Sequence, residues 1–158
     1  MSLRWLDRAV EWTLGLALLS LVGIGGAQIF WRFVLNNPLT WALEASILVL
    51  VWATMLSGYL GVRRNTHLSA DFMGWSGSAR MAWVRDLAGL LLSLVFVVVY
   101  GIVSWPVIDA MSGIAFTSIP VSQPVLYWSL PASAVLMALA FLERIWRHFA
   151  ALRATAAA

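Results

Sequence analysis

The chain has 158 residues, of which 62% are hydrophobic and only 11% are charged. Soluble domains carry roughly 25% charged residues, so the composition excludes an ordinary soluble domain and indicates a membrane protein. The formal net charge is +3 and cysteine is absent, which excludes disulfides, thiolate catalysis and thiolate metal sites.

Four apolar segments are each long enough to cross the bilayer. A helix needs about 20 apolar residues to cross a hydrocarbon core about 30 Å thick. The predicted spans cover residues 10–32, 41–63, 84–108 and 124–147 within a single membrane domain of residues 1–158. The sequence therefore predicts an all-α integral membrane protein with four transmembrane helices.

The first span could also be a cleaved leader, because residues 25–27 are small and resemble a cleavage site. Asp7 and Glu11 place acids where a leader is basic, and the apolar run continues through Trp31. We therefore expect this segment to be retained as a membrane anchor.

A compact turn precedes the second span. Asn37 is predicted to cap that helix, and Pro38 to occupy its first turn, where the missing N–H costs nothing. Trp41 fits an aromatic belt at the membrane surface. Glu44 follows at headgroup depth and is predicted to pair with Arg32. The alternative for Glu44 is a proton or sodium coupling site, since acids within membranes often mark ion pathways.

Small residues recur every four positions on the second span, at Ala53, Ser57 and Gly61. This spacing lets membrane helices approach closely and predicts a helix-contact face. The alternative is that small residues are simply common in membrane spans.

The loop after the second span holds apolar residues among polar ones. Residues 66–78 are therefore predicted to form a short amphipathic helix on the inner membrane surface, following Arg64. His67 and Asp71 are four residues apart, which allows a hydrogen bond across one helical turn. His67 and His148 lie outside the spans, so we predict no haem, no other cofactor and no enzymatic activity.

Three prolines mark the last part of the chain. Pro120 lies in a weakly apolar loop, residues 109–123, that is predicted to pack on protein. Pro124 suits the first turn of the fourth span. Pro131 lies inside that span and is predicted to bend it, because proline removes a helical hydrogen bond.

The arginines flank the apolar runs, so the basic excess predicts membrane orientation and no nucleic-acid binding. Nine arginines lie on one side of the four spans, and Arg32 alone lies on the other. Because cytoplasmic segments carry the basic excess, both ends of the chain are predicted to be cytoplasmic. The nine are Arg4, Arg8, Arg63, Arg64, Arg80, Arg85, Arg144, Arg147 and Arg153.

Three segments taken in order resemble the small membrane subunit (DctQ-like) of tripartite ATP-independent periplasmic (TRAP) transporters. The resemblance covers nearly the whole chain, although the family often has two adjacent acids where Leu43 precedes Glu44 here. The segments are Asn37-Pro38-Leu39-Thr40-Trp41-Ala42-Leu43-Glu44, then Gly61-Val62-Arg63-Arg64-Asn65-Thr66-His67-Leu68-Ser69-Ala70-Asp71, then Ile119-Pro120 with Tyr127-Trp128-Ser129-Leu130-Pro131.

The resemblance implies a scaffold subunit, embedded in the lipids of the bacterial inner membrane, of a sodium-driven importer of organic acids. It implies two protein partners: a large multispanning subunit with the substrate and ion sites, and a periplasmic substrate-binding protein that the small subunit helps to dock. The alternatives are a stand-alone four-span transporter and a membrane assembly factor. A membrane redox enzyme is disfavoured, since cysteine and intramembrane histidine are absent.

Overall fold

The computed structural model describes residues 4–64 and 79–156, with side chains for 4–64 and 81–150. Four helical segments are long and apolar enough to cross a membrane, and the fourth runs through two consecutive helices. This confirms the predicted all-α fold with four membrane helices. The predicted helix over residues 66–78 lies outside the described residues. The helices are α1 (Arg4–Phe33), α2 (Ala42–Arg63), α3 (Ala79–Ala110), α4 (Pro124–Tyr127) and α5 (Ser129–Ala156).

The long helices lie side by side in the order α1, α2, α5, α3. Helix α2 packs against α1 on one side and α5 on the other, and α3 packs against α5. Much of the apolar surface faces outward: the most apolar stretch of α1 is 0% buried, and that of the fourth span only 28%. The buried core is small and consists of Val10, Tyr59, Val62, Val97, Ala134, Ala140 and Phe141.

Two glycines set how closely α5 approaches its neighbours. A Cβ at Gly101 of α3 would lie 3.1 Å from the Ala134 Cβ, and a Cβ at Gly58 of α2 would overlap the Met137 Cε. Small residues allow such close helix packing. On the predicted small-residue face of α2, Ala53 is buried while Ser57 is exposed. The close approach to α5 is therefore made by Gly58, the residue after Ser57.

The turn between α1 and α2 differs from the prediction. Helix α2 begins at Ala42 with Trp41 at its N-cap and no side-chain cap bond, so the expected roles of Asn37 and Pro38 are wrong. The Asn37 N–H instead donates to the Trp31 carbonyl at 3.1 Å. Asn36 has a left-handed φ of 52°, which asparagine tolerates at helix C-termini. This asparagine pair therefore ends α1, and α2 starts four residues after Pro38.

The fourth span is interrupted near its start. Pro124 occupies the first turn of α4, as predicted. Pro131 has no N–H to donate to the carbonyl of Tyr127, four residues earlier, and the helix breaks between these residues at Trp128. The Trp52 indole N–H of α2 donates to the Val125 carbonyl at 3.0 Å and fixes α4 in place.

We expect Gly101→Val to lower the thermal unfolding midpoint of the protein in detergent. The added Cβ would meet the Ala134 Cβ at 3.1 Å, and overpacking of a core costs about 1–3 kcal/mol. Gly89→Val is the matched control, because Gly89 lies on the same helix and has no atom within 4 Å of an added Cβ. An equal loss in both variants would contradict the proposed role of the α3–α5 contact.

Candidate functional site

One end of the bundle, here called the basic end, is where α1 begins, α2 ends and the middle of α5 lies beside them. Five side chains form the Arg63 cluster there: Asp7, Tyr59, Arg63, Glu143 and Arg147. The Arg63 guanidinium donates to both oxygens of Asp7, from Nε at 2.9 Å and from Nη2 at 2.7 Å. Its Nη1 donates to Glu143 Oε2. One guanidinium of α2 therefore binds carboxylates from α1 and α5.

Tyr59 and Arg147 bind the same two carboxylates. The Tyr59 hydroxyl donates to Asp7 Oδ1 at 2.7 Å, and Arg147 Nη2 donates to Glu143 Oε1 at 2.5 Å. Side-chain exposure is low for Arg63 and Glu143, at 11% and 9%, and reaches 23% for Asp7. Bidentate arginine–carboxylate pairs are strong and directional, so this cluster fixes the relative positions of three helices.

A second pair at the basic end is open to solvent. Arg64 binds Glu11 at 2.5 Å, with side-chain exposures of 62% and 43%. Asp7 and Glu11 are one helical turn apart on α1 and meet the consecutive arginines at the end of α2. Their cross-helix partners could have been anticipated from the antiparallel order of α1 and α2, which brings residues 7–11 beside residues 63–64.

The opposite end of the bundle carries a short hairpin of residues 114–123. The Gln123 N–H donates to the Ile114 carbonyl at 2.9 Å, and the Phe116 N–H donates to the Val121 carbonyl at 3.0 Å. These bonds flank an isolated antiparallel bridge between Ala115 and Ser122. The hairpin tip, residues 117–120, reaches the start of α2.

Glu44 at the start of α2 holds this tip. Its Oε1 accepts the Thr117 N–H at 3.0 Å, and its Oε2 accepts the N–H groups of Ser118 at 2.7 Å and Ile119 at 3.1 Å. Among the described residues Glu44 forms no ion pair with Arg32, so the predicted pairing is wrong. Arg32 is exposed, and its guanidinium lies 5.6 Å from the centre of the Phe33 ring.

The other predicted site residues are spread over both ends and the middle of the bundle. Pro38, Trp41 and Pro120 are exposed near the Glu44 end, and Tyr127 ends α4 half-buried. Gly61 is half-buried on α2. His67 and Asp71 lie outside the described residues. Of these residues, Pro120 lies in the hairpin tip that Glu44 holds, and Gly61 lies near the other end of α2.

An open groove of about 390 Å³ lies between α1 and α2. Its lining is almost wholly apolar and includes Leu14, Ala17, Trp52 and Ala53. No group of three metal-binding side chains was found in the described part of the chain. The described bundle therefore has an apolar groove between α1 and α2, and hydrogen-bonded polar contacts at each of its two ends.

We expect Arg63→Met to destabilise the protein strongly. The change leaves Asp7 without a cation and Glu143 with Arg147 alone. Breaking a fully buried ion pair costs about 3–5 kcal/mol, so we expect a loss toward the lower end of that range for these half-buried groups. Arg64→Met is the neighbouring control, because an exposed pair contributes less than about 1 kcal/mol. Thermal unfolding of both variants in the same detergent tests this difference, and similar unfolding midpoints would contradict it.

Comparison with known proteins identifies the family. The chain matches the model for the DctQ component of tripartite ATP-independent periplasmic transporters over residues 21–151. It is 26% identical over 151 residues to the sialic acid TRAP transporter permease protein SiaT of Haemophilus influenzae (strain 86-028NP), covering 89% of this chain and 23% of that protein. It is 27% identical over 79 residues to the C4-dicarboxylate TRAP transporter small permease protein DctQ of Vibrio cholerae serotype O1 (strain ATCC 39315 / El Tor Inaba N16961).

The second alignment covers 50% of this chain and 34% of the Vibrio cholerae protein. The chain therefore spans about a quarter and about a third of the lengths of these two relatives. The family match covers the last part of α1 and the other three membrane helices, which fits a multi-pass protein of the bacterial inner membrane. The chain belongs to the DctQ family of TRAP transporter small permease components.

Proposed function

We propose that the chain is a small scaffold subunit of a sodium-coupled TRAP transporter that imports an organic acid. It would associate with a large multispanning subunit and help to dock a periplasmic substrate-binding protein. The relatives support an acidic substrate, because their names specify sialic acid and C4-dicarboxylate transport. Sodium coupling is what the family resemblance implies for the complete transporter.

The observation that carries the association with a larger membrane protein is the outward-facing apolar surface. Helices α1 and α3 form the two edges of the row and expose large side chains such as Leu19, Val22 and Phe96, at 70%, 75% and 69%. The apolar groove between α1 and α2 adds a concave surface beside this edge. A row of helices has two broad faces, so one can bind a partner while the other contacts lipid.

Hydroxyl groups inside the described spans support a scaffold over a stand-alone transporter. Thr13 donates to the Ala9 carbonyl at 2.9 Å, and Thr54 donates to the Leu50 carbonyl at 2.8 Å. Ser133 likewise donates to the Leu130 carbonyl at 2.9 Å. Transport sites use polar groups or broken helices that face the middle of the membrane. These hydroxyls are instead bonded to their own helices.

We also propose that the basic end is cytoplasmic. The Arg63 cluster joins the beginning of α1 to the end of α2 and the middle of α5, so Arg63 and Arg147 lie at the same end of the bundle as the N-terminus of α1. Arg32 lies at the other end of α1. Basic residues accumulate on the cytoplasmic side of membrane proteins, which supports N-in and C-in topology and a periplasmic location for the 114–123 hairpin.

Co-expression with a large TRAP subunit provides the main test. We expect the two membrane proteins to co-purify, and their reconstituted complex to import an organic acid when both a sodium gradient and the binding protein are present. Omission of this chain should abolish uptake, because the large subunit would lose its scaffold. Uptake is measured with radiolabelled acids in proteoliposomes.

Two results would contradict this function. Uptake by liposomes that contain this chain alone would identify a stand-alone transporter. Uptake by the large subunit at the full rate without this chain would exclude a required scaffold. Potassium in place of sodium provides the ionic control in each experiment.

A further inference from the structure

The tip of the 114–123 hairpin is built around one carboxylate. Thr117, Ser118 and Ile119 each donate a backbone N–H to Glu44, and Pro120 has no N–H to donate. The Val121 N–H then donates to the Ile119 carbonyl at 2.8 Å across the proline. Every backbone donor of the tip therefore has a partner, and three of them depend on Glu44.

The same three bonds use both oxygens of the Glu44 carboxylate. Both carboxylate oxygens accept hydrogen bonds from the loop, and the side chain is half-buried at the start of α2. Bonds between an ionised acceptor and backbone N–H groups are stronger than neutral ones. The Glu44 carboxylate therefore points toward the hairpin backbone and stabilises the conformation of the hairpin.

We propose that Glu44 is a positioning residue that holds the 114–123 hairpin in the shape required to dock the periplasmic binding protein. This inference rests on the proposed function and names the part of the chain that would make the contact. The docking surface would consist of the exposed tip, Thr117, Ser118 and Pro120, with Ala115 and Ser122 at its base.

The composition of this surface favours a water-soluble partner over a membrane helix. The tip exposes two hydroxyl groups and a proline and carries no charged side chain, whereas the exposed faces of α1 and α3 are apolar. The hairpin also lies at the end of the bundle away from the Arg63 cluster. A soluble protein that approaches this end would meet an ordered, uncharged surface, whose order is set by Glu44.

Hydrogen exchange tests the positioning role directly. In the purified complex, we expect Glu44→Gln to raise the exchange rate of residues 117–119 at least tenfold, because an amide side chain cannot accept all three N–H bonds. Asp109→Asn is the matched control for loss of an acid near this end, since Asp109 makes no side-chain hydrogen bond in the described part of the chain. In Asp109→Asn, the amide hydrogens of residues 117–119 should exchange at the wild-type rate. Unchanged exchange in Glu44→Gln would overturn the positioning role.

Binding of the periplasmic protein to the reconstituted complex tests the docking surface. We expect Glu44→Gln to weaken binding about tenfold, with a similar loss at low and high salt, and to leave co-purification with the large subunit intact. A loosened hairpin with unchanged binding would overturn the proposed surface. A defect confined to low salt, with an ordered hairpin, would assign Glu44 to direct contact with the partner and overturn the positioning role.

A second variant disrupts the same contact from the loop side. Ser118→Pro removes the N–H that makes the 2.7 Å bond to Glu44 and leaves α2 unchanged. We expect weaker docking with intact subunit assembly, and wild-type docking would overturn the proposal. Failure of the wild-type chain to assemble with a large subunit would instead contradict the proposed function, so the two failures can be distinguished.

Discussion

The arrangement of the helices depends on the bonds that Arg63 makes with Asp7 and Glu143. Lipid tails are as apolar as leucine, so burial of apolar side chains provides little force that brings membrane helices together. Helix α1 shows this limit clearly, because its most apolar stretch is 0% buried. Its attachment to α2 therefore relies on polar contacts at the basic end together with the packing of Val10 into the small core, and Arg63 extends the polar contact to α5.

The surroundings of Arg63 explain why this charge is tolerated. Tyr59 adds a second bond to Asp7 Oδ1 and Arg147 binds the other oxygen of Glu143, so neither acid of the cluster depends on a single bond. Arg64, the next residue, lies about 100° further around the helix and forms a pair that is exposed to solvent. Two consecutive arginines thus make very different contacts. The rotation of α2 about its axis directs Arg63 toward α1 and α5, whereas Arg64 faces solvent.

Hydropathy predicted the number of membrane helices, since long apolar runs have few other folded states. Pro124 predicted the start of the fourth span, because proline fits the first turn of a helix whatever surrounds it. The partners of Arg63 could not be predicted in this way, because hydropathy does not determine the rotation of a helix about its axis. Asn37 can serve either the end of one helix or the start of the next, and the left-handed turn at Asn36 decides between them. Glu44 was misassigned because its true partners are backbone groups more than 70 residues away.

Helix α2 connects the two ordered ends of the molecule. Glu44 and Arg63 are 19 positions apart on it, which corresponds to about 28 Å at 1.5 Å per residue. Each residue holds a part of the chain that is distant in sequence: Arg63 holds α1 and α5, and Glu44 holds the hairpin. The scaffold role that we propose requires contact surfaces at a constant separation. A continuous helix fastened at both ends meets this requirement, and the Trp52 bond to Val125 reduces rotation between the ends by tying the middle of α2 to the fourth span.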